Sequence, residues 1–90
     1  MSYTYLPSAE FQASMELLPA WLQEETLDEL EYLLANPKKL IVRPGNDLAF
    51  HDFVRSFSGK VHYVFLSVQP DHAAKILTLV SLGHVERPSH

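Results

Sequence analysis

The chain contains no cysteine. Disulfides, thiolate nucleophiles and cysteine-based zinc sites are therefore excluded, and the composition suits a reducing, cytoplasmic setting. Long hydrophobic runs are also lacking: the longest uncharged apolar stretch, 76–82, is far too short to span a bilayer. The opening MSYTYLPSAEF has no basic segment leading into an apolar one, so neither a signal peptide nor a membrane partner is expected. Residues 1–36 hold no lysine or arginine. The helices predicted there consequently have no bases with which to enter a nucleic-acid groove, which argues against sequence-specific DNA binding by this chain alone.

What is present describes one soluble domain covering residues 1–90. Apolar residues make up 47% and charged residues 20% of 90 positions, enough for a single modest core and too apolar for a disordered chain. The net charge of −4 is unevenly spread. Seven acids lie within 1–36, whereas all seven lysines and arginines lie within 37–90, together with four acids and all five histidines. Such segregation lets one face attract phosphate while the far face repels it, although an acidic solvated helix beside an ordinary sheet explains it equally well.

The organising stretch is 47–82, DLAFHDFVRSFSGKVHYVFLSVQPDHAAKILTLVSL, in which β-branched and aromatic residues alternate with polar ones. Turns placed at SFSG (56–59) and QPD (69–71) divide it into a three-stranded antiparallel meander. With SFSG as the turn, Arg55 faces Lys60, Phe53 faces His62 and His51 faces Val64. His51, Phe53, Arg55, Lys60 and His62 then share one face, and Phe50, Val54, Val61, Tyr63 and Phe65 share the other. The first face reads as an uncovered cationic and imidazole-bearing platform, the second as an apolar floor for packing. Asp52 fits poorly on that floor, which suggests a bulge near it.

Ahead of the meander, Tyr3 to Leu6 reads as an edge strand ended by Pro7. Ser8 caps a helix carrying Phe11, Met15 and Leu18 on one stripe. Pro19 opens a second helix whose stripe is Leu22, Leu27, Leu30, Leu33 and Leu34, with Trp21 pinning the helix pair and Asn36-Pro37 ending it. A basic linker, KKLIVRPGN, leads to the meander, and the segment GHVERPSH after Leu82 reads as a tail released by Gly83. No repeats or low-complexity tracts occur. The order β-α-α-β-β-β gives an α+β fold, an antiparallel sheet with an αα-hairpin packed on one face.

That order, with LP at the inter-helix joint, NP closing helix 2, a hairpin containing RSFSGKVHYVF and a last strand running into LGH, resembles the RelE/ParE toxin superfamily of bacterial toxin–antitoxin modules. The resemblance implies a type II toxin with an antitoxin partner. In the RelE branch it implies a metal-independent endoribonuclease that cuts messenger RNA on the ribosome and inhibits translation. In the ParE branch it implies a DNA gyrase inhibitor, and an inactive homologue persisting as a binding protein is a further alternative. By position, Lys60 corresponds to a basic residue contacting the scissile phosphate, Arg55 to a basic strand position and His84 to a basic or catalytic residue after the last-strand glycine. Val85 stands where members often have arginine, and the C-terminal tyrosine and helix of several members are lacking.

RNA cleavage without a metal needs a base for the 2′-OH, an acid for the leaving 5′-oxygen and cations for the phosphorane charge. Histidine fills either proton-transfer role near neutral pH. The candidate catalytic residues are His62, His84, Lys60 and Arg55, with His51, Phe53, Arg43, Arg87 and His90 as substrate contacts, Phe53 by stacking a base. His51 and His62 on neighbouring strands could chelate a metal, but no HxH, HExxH or supporting carboxylate spacing backs one, so none is expected, and no cofactor is implied.

Overall fold

A computed structural model describes residues 2–45 and 47–89. Its elements are β1 (Thr4–Pro7), α1 (Ala9–Glu16), α2 (Ala20–Ala35), a 3₁₀ turn (Pro37–Lys39), β2 (Ile41–Val42), β3 (Ala49–Phe57), β4 (Lys60–Asp71) and β5 (Ile76–Pro88). One five-stranded sheet has the order β1-β5-β4-β3-β2. The α+β class and the β-α-α-β-β-β order hold, but the sheet is mixed: β1 runs parallel to β5, and the linker contributes a short fifth strand, β2, antiparallel to β3.

Ser8 ends β1 and starts α1 at once. Its backbone N–H donates to the Leu79 carbonyl (2.9 Å), its Oγ accepts from the Phe11 N–H (3.0 Å) and its hydroxyl donates to the Val80 carbonyl (2.9 Å). Phe11 and Leu18 are buried and Met15 packs against the core. On α2 the buried stripe is Leu22, Thr26, Leu30 and Leu33. Leu27, read as core, is exposed. Thr26 takes the inward position one turn after Leu22, and its hydroxyl loses nothing by burial because it donates to the Leu22 carbonyl (2.8 Å).

The turns of the meander differ from the sequence reading. Only Ser58 and Gly59 form the first turn, both with positive φ (51° and 76°), the backbone that a tight two-residue hairpin turn requires. Phe57 then pairs with Lys60, and the register moves by two: Arg55 faces His62, Phe53 faces Val64 and His51 faces Leu66. Parity survives a shift of two, so the residues sharing each face are those expected. Gln69, Pro70 and Asp71 belong to β4, and the turn spans 72–75, where the Ala74 N–H donates to Asp71 Oδ1 (3.0 Å). Pro70 is tolerated because β3 begins at Ala49 opposite Val68, leaving one side of β4 without a ladder there. Gly83 does not release β5, which continues to Pro88 against β4.

One irregularity decides the site. Ser67 pairs with Ser81 but Val68 pairs with Leu79, so Val80 is an extra residue in β5. Before it, odd-numbered Leu77 and Leu79 face the helices; after it, even-numbered Leu82, His84 and Glu86 do. The bulged Val80 carbonyl is the one that Ser8 caps.

The helices lie over the opposite face from the one expected. Phe53, Val64, Leu66, Val68, Leu77, Leu79 and Leu82 share the inner face with His51, Arg55 and His62 and are buried. The supposed apolar floor is the outer face, where Val54, Phe65 and Val85 stay 48%, 43% and 40% exposed. The reason is quantitative. Within the first hairpin alone the outer residues are the more apolar set, but β4 and β5 continue the inner face with fully buried leucines and valines, and each such side chain is worth about 1.5–3 kcal/mol. Asp52, on the outer face opposite Phe65, meets solvent and needs no bulge; the pairing of β3 with β4 is regular.

Candidate functional site

The inner face places polar groups in two clusters. Under α2, Arg55 Nε donates to Glu25 Oε1 (3.0 Å) and its Nη2 to Glu29 Oε2 (3.2 Å), while His51 Nε2 lies 3.0 Å from Glu29 Oε1. The Arg55 guanidinium also lies over the Phe53 ring, 4.9 Å from its centroid. The platform reading fails here for a physical reason. A guanidinium placed beneath a helix must find carboxylates, and the acidic face of α2 supplies them. The charge segregation of the sequence therefore closes on itself at this point. Arg55 and His51 are committed to α2, and Phe53, only 6% exposed, cannot stack a base.

The second cluster lies beyond the joint between the helices. His62, 4% exposed, pairs across the ladder with Glu86, and His84 is two residues before Glu86 on the same face of β5. His62 Nδ1 and His84 Nε2 are 3.0 Å apart in a hydrogen bond, their rings stacked at 5.3 Å between centroids. His62 Nδ1 is 3.8 Å from Glu86 Oε2, and Lys60 Nζ donates to Glu86 Oε1 at 3.1 Å. Trp21 holds the group from the helix side. It packs edge-on to His62 (4.9 Å between centroids) and stacks on Phe57 (4.5 Å), so it pins α2 to the hairpin. A hollow of about 240 Å³ lined by Ser14, Leu17, Leu18, Leu82 and His84 opens beside the cluster.

Electrostatics follow from this packing. Burial, and then the neighbouring His62, hold the His84 pKa below the ordinary histidine value, with Glu86 opposing weakly. The hydrogen bond and charge of Lys60 hold Glu86 below the usual carboxylate range.

Of the sequence candidates, His62, His84 and Lys60 are brought together, and Arg55 is drawn away. Arg43 stands on the other side of the sheet with its guanidinium over the Phe50 ring, 5.1 Å from the centroid. It borders an outer hollow of about 570 Å³ that also includes Phe65, Ser67 and Ser81. Arg87 is exposed on the outer face opposite Val61. His90 lies outside the described residues. Glu86 was missed because 83–90 read as a tail; His84-Val85-Glu86, read as strand, places a histidine and a carboxylate on one face.

No protein-family model matches the sequence, and no curated protein matches it. Among solved structures, a mutant of the E. coli toxin RelE in the free state matches with a TM-score of 0.72 at 17% identity, over 92% of this chain and 83% of that chain. A chain of the intact E. coli RelBE toxin–antitoxin complex matches with a TM-score of 0.71 at 18% identity, over 94% and 99%. The fold is therefore RelE-like. No helix among the described residues is long and apolar enough to cross a membrane.

Proposed function

We propose that this chain is the toxin of a toxin–antitoxin pair and that it cleaves messenger RNA on the ribosome. One observation carries the reading: on a RelE-like fold, two imidazoles are hydrogen-bonded at the uncovered end of the sheet beside a lysine. In the neutral pair one ring donates its proton and the other accepts it, which readies the two for passing protons. His84, the more exposed, meets the substrate and takes the 2′-OH proton. His62, buried against Trp21, is a positioning residue that fixes the His84 ring. Lys60 exchanges Glu86 for the scissile phosphate and stabilises its growing charge. It also gives a proton to the 5′-oxygen as its bond to phosphorus breaks and the 2′-oxygen closes on the phosphate. Arg87, on the outer face at the same end of the sheet, holds backbone that runs past that edge. Arg55 has no part in the chemistry, since Glu25 and Glu29 already hold it.

An antitoxin partner is supported by the outer face, where Ile41, Val54, Phe65 and Val85 expose apolar side chains on four neighbouring strands that a protein segment would cover. The same face, with the neutralised Arg55, favours a second reading in which the chain binds partners without cleaving RNA.

Ribosomes carrying a defined message, incubated with the wild-type chain, should yield new 5′ ends. His84→Ala should lower their yield by about 10²–10⁴-fold. Intact messages with arrested growth and captured gyrase would move the assignment to gyrase inhibition. Intact messages and normal growth would leave the binding role.

A further inference from the structure

His62, His84 and Glu86 make a three-ligand set, and we propose that they bind one zinc ion. One donor atom from each residue, an imidazole nitrogen or a carboxylate oxygen, lies within 4.8 Å of the other two. Around four-coordinate zinc, neighbouring nitrogen and oxygen donors stand about 3.3 Å apart, as follows from metal–ligand bonds of about 2.0–2.2 Å. The His62 Nδ1 to His84 Nε2 separation, 3.0 Å, must open by a few tenths of an ångström, and the 3.8 Å from His62 Nδ1 to Glu86 Oε2 must close by a similar amount. The half-buried His84 and the exposed Glu86 side chain supply these adjustments, while His62 stays fixed between the sheet and Trp21.

The details of the set suit a metal. The two nitrogens that face each other are those whose lone pairs a single cation can share in place of a proton. Lys60 occupies Glu86 Oε1 and leaves Oε2 turned toward His62, so the carboxylate can keep its lysine while it ligates. Two neutral imidazoles and one carboxylate form the borderline-soft nitrogen and oxygen set that zinc takes, and three protein ligands leave a fourth position for water. The site itself stands apart from the toxin reading. Only one consequence rests on that reading: an ion on His84 Nε2 leaves the ring's proton on Nδ1 and no lone pair for the 2′-OH proton, so zinc inhibits cleavage.

The full chain, with any affinity tag removed, should be titrated with Co²⁺ as a coloured stand-in and then with Zn²⁺, in the absence of RNA. The expected result is a visible four-coordinate cobalt spectrum that saturates at one ion per chain and is displaced by zinc, together with a melting temperature that zinc raises and a chelator restores. Glu86→Gln and His84→Ala should each weaken zinc binding by at least about 10-fold, whereas His72→Ala, at an exposed turn histidine, should leave it unchanged. Both ligand variants sit on an exposed or half-exposed part of β5, so circular dichroism can verify their folding. Absence of a one-to-one cobalt spectrum, or equal zinc affinity in folded Glu86→Gln, His84→Ala and wild type, overturns the site. A chain that binds zinc but leaves messages intact keeps the metal site and loses the toxin reading; one that cuts messages and ignores zinc does the reverse.

Discussion

Arg55 and His62 face each other across one ladder, yet the two belong to different chemical settings. Arg55 lies beneath the middle of α2, where two carboxylates hold its guanidinium and a third polar group, His51, shares one of them. His62 lies past the start of α2, where its polar neighbours His84 and Glu86 come from the adjacent strand and the far side of that group opens to solvent. The comparison teaches that a basic or imidazole side chain on this sheet is structural or chemically available according to what the helix presents to it. The residue type alone does not decide.

The contrast can be broken most strongly at the layer that creates it. Leu22→Ala, at a fully buried α2 position, should cost about 2–5 kcal/mol in urea unfolding. Glu29→Ala should cost less, about 1–3 kcal/mol, by leaving Arg55 and His51 short of a partner in a half-buried setting. Measured in a cycle with Arg55→Ala, the two losses should be non-additive. Ser8→Ala should cost about 1 kcal/mol for the lost α1 cap. At the open end the sign of the comparison reverses: Lys60→Ala should leave the melting temperature within experimental error, because its ion pair with Glu86 is solvent-exposed, while lowering the RNA cleavage proposed for this chain. A large stability loss from Lys60→Ala would erase the distinction between the two clusters.

Much of this was legible in the sequence. The element order, the Ser8 cap, the Pro19 joint and the grouping of residues by face follow from local chemistry and strand parity. The choice of which face the helices cover was not legible in the first hairpin, where Phe50, Val54, Tyr63 and Phe65 outweigh Phe53. It is set by Val64, Leu66 and Val68 together with Leu77, Leu79 and Leu82, and joining those to one face requires knowing where β5 changes parity. Glu86 was hidden for a related reason: Gly83 and Pro88 read as strand-breakers, whereas β5 accommodates the glycine opposite Phe65 and reaches the proline only at its last residue. Leu27 and Thr26 exchanged roles because a threonine can satisfy its own hydroxyl within a helix.

Removing Val80, the extra residue of β5, would leave Leu79 opposite Val68 and Ser81 opposite Ser67 in an unbroken ladder, so every side chain of 82–87 would keep its face. His84 and Glu86 would still lie beside His62, and what would go is the Val80 carbonyl that takes the Ser8 hydroxyl. The spare residue is thus a fastening between the start of α1 and the last strand, and a single-codon deletion there would loosen that seam while sparing the imidazole pair.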